Sequence, residues 1–425
     1  MLQPHSRALV ILLGALTGLT ALSIDMSLPA LPTLAAVFGV DTDKAALTLS
    51  LFLAGYSVSQ LFYGPLADRF GRRPPLLVGL ALFAAGGIGC ALSGSIAQLV
   101  LWRLVQGVGA CAGPILARAV VRALYERRRG VQILSYMTLI MAVAPLLAPI
   151  LGGYLLLLHW RTIFGLLTLI GLGVLAATWS GLPESIPWRN HRATRPAELL
   201  RNLVDFSTRR VCVGYAFLVC FTFCGLFSYI SGSPFVLIEV FGVPSRQFGY
   251  LFGLNAFGLM AGALINACLV NRVPAATILR CGIALILAGG AAISTCAVFH
   301  LGGLAGIVGP MLIYILGMGM VTPNAIAAAM EPVPRMAGFA SSLIGCLQTA
   351  GGSLIGYAIG VLYDRTALPM ALAVGLSAAL AGVTYFGFLG SLAETGPVER
   401  TARENPQSGS ASRRASLNNN RDSLH

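Results

Sequence analysis

Twelve apolar runs of membrane-spanning length follow one another along the chain, and no water-soluble fold can bury that many. They lie at about 8–30, 46–67, 76–94, 97–121, 131–157, 162–181, 211–235, 247–270, 277–299, 302–330, 338–362 and 369–391. A helix rises about 1.5 Å per residue, so about 20 apolar residues cross a hydrocarbon core about 30 Å thick. Only helices or closed barrels satisfy their backbone in lipid, and these runs lack the period-2 alternation of barrel strands. The sequence therefore predicts an all-α polytopic membrane protein. Composition agrees: 10% of residues are charged and the mean hydropathy is +0.81, whereas soluble domains carry about 25% charged residues. Arg7 and the first run resemble a secretory signal, but the run exceeds a typical h-region and others follow it, so it is read as a retained span.

The polar stretch 182–210 divides the spans six and six. The expected organisation is a six-helix bundle at 1–181, a cytoplasmic linker at 182–210, a second six-helix bundle at 211–391 and a disordered cytoplasmic tail at 392–425, polar and rich in Ser, Asn and Arg. Loop charges orient the chain. With the N-terminus in the cytoplasm, the inner loops hold sixteen arginines, among them Arg7, Arg69, Arg72, Arg73, Arg127, Arg128 and Arg129. The outer loops hold Lys44, Arg161, Arg246 and Arg365. That asymmetry obeys the positive-inside rule and predicts both termini in the cytoplasm. The net charge of +13 is thus topological rather than a nucleic-acid patch. The nine cysteines form no CxxC or Cys/His pattern and read as packing residues, including Cys220 and Cys224, which share a helical face.

The halves echo each other. "LADRFGRRPPLLVGL" after the second span compares with "LVNRVPAATILRCGI" after the eighth, and "APILGGYL" in the fifth with "TAGGSLIG" in the eleventh. Such internal symmetry is a transporter trait, with binding expected between the halves. "GPLADRFGRR" at 64–73 combines turn glycines with a dense charge cluster and resembles the signature loop of the major facilitator superfamily. "RLVQGVGA" (Arg103 to Ala110) resembles that superfamily's second motif in drug:proton antiporters. "APLLAPILGG" (Ala144 to Gly153) resembles its antiporter motif, with Ala144 where glycine is usual and Pro149 as an added kink after Pro145. "FSYISGSPFVLIEVFGV" and "DMSLPALP" narrow the resemblance to the Bcr/CflA branch of bicyclomycin and chloramphenicol exporters, over about residues 8–391. This resemblance implies two pseudo-symmetric six-helix bundles, drug:proton exchange across a bacterial inner membrane, and gating by Gly64, Asp68, Arg69, Gly71, Arg72, Pro145, Pro149, Gly152 and Gly153. Asp68 is expected to face the helix that begins near Gly338, favoured by its dipole; a rigid turn with topogenic arginines is the alternative. Members usually carry an acid in "RDLY" at the end of the fourth span. Here Arg122, Ala123, Leu124 and Tyr125 stand there, and Glu126 is the candidate replacement.

Two charges stand out inside spans, where ionisable groups are rare and functional. Asp25 lies about 17 residues into the first run, roughly 25 Å from the inner boundary. Arg103 lies roughly 21 Å from it in the fourth. Of fifteen acids only Asp25 is well inside a span, whereas Glu239, Glu331 and Asp364 fall near span ends. Desolvation favours a neutral carboxyl and a nearby guanidinium an ionised one, and Arg itself stays charged. Asp25 is the expected proton carrier, with Arg103 or a cationic drug balancing its ionised form. The bland readings stay open: Asp25 as a cap before Pro29, and Arg103 as a brace on backbone carbonyls.

Expected cavity residues, chosen as aromatic or polar side chains inside spans, are Tyr56, Gln60, Tyr136, Phe227, Tyr229, Asn255, Asn324 and Gln348. The scarcity of buried acids favours neutral, zwitterionic or weakly charged drug-like molecules. The expected partners are that small molecule, the proton as coupling ion and the bilayer, with no nucleic acid, no other cofactor, no metal, and a monomeric chain. A proton-coupled uptake permease on the same fold predicts accumulation inside the cell, and a passive channel predicts flux indifferent to pH. An enzyme is disfavoured by the absence of HExxH, GxSxG or a histidine cluster.

Overall fold

Lipid leaves the backbone no partners but its own, and the chain answers with helices. The computed structural model describes residues 6–185 and 196–390, in which twelve helical segments are long and apolar enough to cross a membrane. The tail at 392–425 lies outside the described residues. The first half comprises α1 (Arg7–Asp25), α2 (Leu31–Phe38), α3 (Thr42–Phe70), α4 (Arg73–Leu92), α5 (Ile96–Ala110), α6 (Ala112–Leu124), α7 (Arg127–Leu156) and α8 (Trp160–Gly181). Here α1 with α2 forms the first span and α5 with α6 the fourth. A linker helix, α9 (Pro196–Thr208), precedes the second half: α10 (Arg210–Pro234), α11 (Ser245–Leu269), α12 (Ala275–Val298), α13 (Ala305–Met330), α14 (Ala337–Leu362) and α15 (Leu368–Gly382).

Local chemistry sets the ends. The Ser6 hydroxyl caps α1 by accepting from the Leu9 N–H at 3.3 Å, and the Ser95 hydroxyl caps α5 through the Gln98 N–H at 3.3 Å. Proline explains the breaks in the first and fourth spans. Pro29 has no N–H to return to the Asp25 carbonyl four residues back, so α1 ends at Asp25 and a 3₁₀ turn takes Leu28–Ala30. Pro114 likewise frees the Ala110 carbonyl, and there the Thr20 hydroxyl of α1 donates to it at 3.0 Å. The defect in one span is thereby closed by a side chain of another, as lipid demands.

Contacts between the halves gather towards one face. The Thr42 hydroxyl donates to the Gly360 carbonyl (3.5 Å), Ser353 to the Ser50 carbonyl (2.7 Å), and Ser57 to the Cys346 carbonyl (2.8 Å), all between α3 and α14. The Tyr154 and Tyr250 hydroxyls pair at 3.2 Å between α7 and α11. Further along α3 and α14, Gln60 donates to Thr349 at 3.4 Å. The molecule is therefore closed at the face opposite the arginine-rich loops.

Close approach within the first half depends on α5. A Cβ at Gly107 would collide with the Phe52 carbonyl of α3. Gly107→Ala should lower stability by about 1–3 kcal/mol, read as a fall in detergent thermal unfolding temperature. Gly64→Ala, with nothing within 4 Å of the new methyl, should leave that temperature unchanged or slightly raised. Equal falls in both would show that the α3–α5 contact is not tight.

Candidate functional site

Arg103, on α5, is 1% exposed and is among the largest fully buried side chains. Its guanidinium is almost wholly matched. Nε donates to the Thr48 carbonyl at 3.3 Å. Nη1 reaches the Ser23 carbonyl and hydroxyl, both at 3.2 Å, and the Gln106 Oε1 at 2.9 Å. Nη2 donates to the Ser27 hydroxyl at 3.1 Å. The ring of Phe52 lies 4.4 Å from the guanidinium carbon and that of Phe164 5.7 Å, within cation–π range. One residue thereby ties the first, second, fourth and sixth spans.

Asp25 is 5% exposed at the end of α1, bracketed by Ser23 and Ser27, the two serines that hold Arg103. The two charges thus share a level, but they do not pair. No ion pair within 4.0 Å joins Arg103 to Asp25, whereas Arg209 and Asp205 lie 3.4 Å apart. The Asp25 carboxyl has no recorded hydrogen-bond partner among the described residues. Arg103 is balanced here by hydroxyls and carbonyls, which is the brace the sequence left open as an alternative. Next to it the Gln106 Nε2 is buried with no partner. Among the described residues Asp25 is the one buried acid and Arg103 the one buried base.

The glycine pair of α7 connects this site to the second half. A Cβ at Gly152 would collide with the carbonyl of Met26, the residue after Asp25. A Cβ at Gly153 would lie 2.6 Å from the Ser245 carbonyl at the start of α11. Pro145 and Pro149 lie inside the same helix.

The loop between α3 and α4 has a partner that the sequence reading missed. Gly71 ends α3 with φ +94°, a conformation open to glycine. Glu184, just past α8, accepts the Arg72 N–H on Oε1 (3.0 Å) and the Arg73 N–H on Oε2 (3.2 Å). A carboxylate thus caps the N-terminus of α4, where the helix dipole favours it. The Arg72 guanidinium donates to Ser185 at 3.2 Å, and that of Arg73 to the Trp179 carbonyl. Half-burial pulls Arg72 below its usual pKa; Asp68 and Glu184 oppose the shift and Arg122 adds to it. Glu126 is exposed at the start of α7 and has no recorded bond to this loop. Asp68 is exposed, and no hydrogen bond or ion pair to α14 is recorded for it; Arg69 lies over the Phe70 ring at 5.1 Å.

The eight cavity candidates separate. Gln60 joins α3 to Thr349 of α14. Tyr229 accepts from Asn255 Nδ2 at 2.7 Å and stacks on Phe252 at 6.0 Å, while Asn324 donates to Asn266 at 2.6 Å. These are internal pairs of the second half, although the Asn255 Oδ1 stays buried and unmatched. Phe227 is buried against Phe223 at 4.8 Å. Tyr56 and Gln348 are half-buried, and Tyr136 is 58% exposed. Two apolar grooves, of about 800 and 600 Å³, include none of the eight.

A model of the Major Facilitator Superfamily matches residues 13–356. The chain belongs to the major facilitator superfamily. It is accordingly a membrane transporter, not an enzyme. It is 34% identical over 383 residues to the uncharacterized MFS-type transporter YdgK of Bacillus subtilis, covering 89% of this chain and 95% of that one. It is 32% identical over 391 residues to the bicyclomycin resistance protein homolog of Haemophilus influenzae, covering 90% and 96%. That likeness agrees with the Bcr/CflA branch indicated by its motifs. It is also 29% identical over 343 residues to multidrug resistance protein MdtL of Escherichia coli, covering 80% and 85%. The fold matches an inward open form of the xylose transporter XylE from E. coli with a TM-score of 0.70 at 17% identity, covering 89% and 95%. It matches a peptide transporter POT with sulfate with a TM-score of 0.72 at 17% identity, covering 91% and 95%.

Glu184→Ala removes the cap on α4 and should speed exchange of the Arg72 and Arg73 amides about tenfold, the equivalent of a cap worth ~1–2 kcal/mol. Glu184→Gln, which keeps one acceptor, should fall between. Amide hydrogen exchange by mass spectrometry reads this; unchanged exchange would mean that the carboxylate does not hold the loop.

Proposed function

We propose that the protein exports drug-sized amphipathic molecules from the bacterial cytoplasm in exchange for protons, by alternating access of its two halves. The observation that carries this reading is the solitary buried acid: among the described residues no other carboxyl is buried and able to carry a proton through the interior. Arg103 holds Ser23 and Ser27 on either side of it and leaves the carboxyl uncommitted. Protonation of Asp25 favours one access state and drug binding the other. One proton moving inward supplies about 1.4 kcal/mol per pH unit and about 2.3 kcal/mol per 100 mV.

The positive-inside rule supports a cytoplasmic side for the arginine-rich loops and, with them, for both termini; the membrane in this reading is the bacterial inner membrane. The halves then meet on the periplasmic side, so this conformation faces the cytoplasm. Gly152 and Gly153 link the residue after Asp25 to α11, a short mechanical route from proton site to the rocking interface. Drug cargo is supported by the names of the bicyclomycin resistance homolog and of MdtL. A single buried acid suits neutral, zwitterionic or weakly charged cargo. The chain works as a monomer in this reading.

Asp25→Asn tests it. In everted vesicles from a pump-deficient bacterium, addition of a transported drug should release protons from the lumen with the wild type and release none with the variant. Arg103→Lys, which loses the planar fork that binds Ser23, Ser27 and Gln106, should lower thermal stability as well as transport. Undiminished proton release by Asp25→Asn would remove this carboxyl from the coupling step.

A further inference from the structure

Two thiols in the second half have no part in this mechanism. Cys220 and Cys224 lie one turn apart on α10, and the i, i+4 spacing puts them on one face. By helix rise they stand roughly 15–21 Å from the arginine-rich end, deep in the membrane. That face looks at α14, where the chain carries "TAGGSLIG", the echo of the α7 glycine motif. In α7 the glycines meet backbone carbonyls. In α14 a Cβ at Gly351 would lie 2.8 Å from the Cys220 sulfur and 2.8 Å from the Cys224 sulfur. Both sulfurs therefore converge on one point over bare backbone, within twice that distance of each other. Cys220 Sγ also lies 3.3 Å from the Leu347 carbonyl oxygen, which fixes its direction. Cys220 is 9% exposed and Cys224 is half-buried, so the pair is sheltered without being sealed.

Sulfur ligands select soft metal ions. The number of ligands narrows the choice. Among the described residues no group of three or more His, Cys, Asp or Glu is placed to hold a metal, so the closed four-ligand site of structural zinc is not built from side chains at this position. Two converging sulfurs suit an ion satisfied by two ligands. Charge points the same way: a bare cation is expensive in an apolar medium, whereas a divalent ion held by two thiolates is neutral. We propose that Cys220 and Cys224 form a two-coordinate site for a soft divalent ion of the mercury(II) class, lodged between α10 and α14 over Gly351. Binding forms two metal–sulfur bonds and breaks two S–H bonds. The two protons leave to water, and no electron is transferred.

The test uses the full chain with its seven other cysteines replaced by serine, titrated with mercury(II) in detergent. One equivalent should consume both thiols together, with the ultraviolet charge-transfer band of a dithiolate complex, and should resist excess glutathione. Cys220→Ser or Cys224→Ser in that background should give a complex that glutathione strips. Gly351→Ala keeps both sulfurs but puts a methyl group between them, and should weaken binding by about 10–100-fold, as changes just outside a ligand shell do. If the seven-serine chain fails to fold, the natural chain is compared with its Cys220→Ser/Cys224→Ser double variant, which should lose one glutathione-resistant equivalent. Two equivalents bound singly, stripping as easy as in the single-cysteine chains, or indifference to Gly351→Ala would each overturn the proposal.

Discussion

A guanidinium buried inside a helix bundle is the constraint around which the first half is arranged. Placing such a charge at a bilayer centre costs about 2.5–3.5 kcal/mol even by the mildest measure, and Arg cannot escape by losing its proton. Arg103 is stabilised by Ser23 of α1, by Ser27 just past its end, a carbonyl of α3, the neighbouring Gln106 and two aromatic faces. These partners come from four spans, so their positions are fixed together. A carboxylate would have been the simplest partner, and Asp25 stands at the same level. The hydroxyls do that work instead, and the acid is left without a fixed ionic partner.

Backbone defects give the same region its shape. Pro29 stops α1 at Asp25, and Pro114 opens a carbonyl that Thr20 closes from the neighbouring span. Helix breaks inside lipid survive where a neighbour re-satisfies the freed group. Here they put a titratable side chain at a bend, one residue from the carbonyl on which Gly152 rests. The adjacent Gly153 rests on the other half. Buried carboxyl, bend and interface are thus contiguous.

The twelve spans were legible because lipid forces apolar runs of fixed length, and Asp25 and Arg103 because a charge within such a run is conspicuous. Their failure to pair was not legible. Helix rise gives depth, but it does not tell which way a side chain points around the helix. Polarity within a span was likewise ambiguous: Tyr229 with Asn255, and Asn324 with Asn266, use it to bond each other. Glu184 escaped notice because it reads as the opening of a polar linker. Its role depends on the end of α8 lying beside the α3–α4 turn, and the one sequence cue is a carboxylate just beyond a span, opposite a basic loop whose usual acidic partner is missing. The helix α9 was also hidden within that linker, its pattern short and its surroundings polar.

Proton coupling is tested most directly with the purified wild-type chain in proteoliposomes, loaded at acidic pH and diluted into alkaline buffer with equal drug on both sides. The account predicts uphill drug accumulation in the lumen that collapses when a protonophore is added. Drug movement that only ever runs down its own gradient, whatever the pH difference, would contradict it.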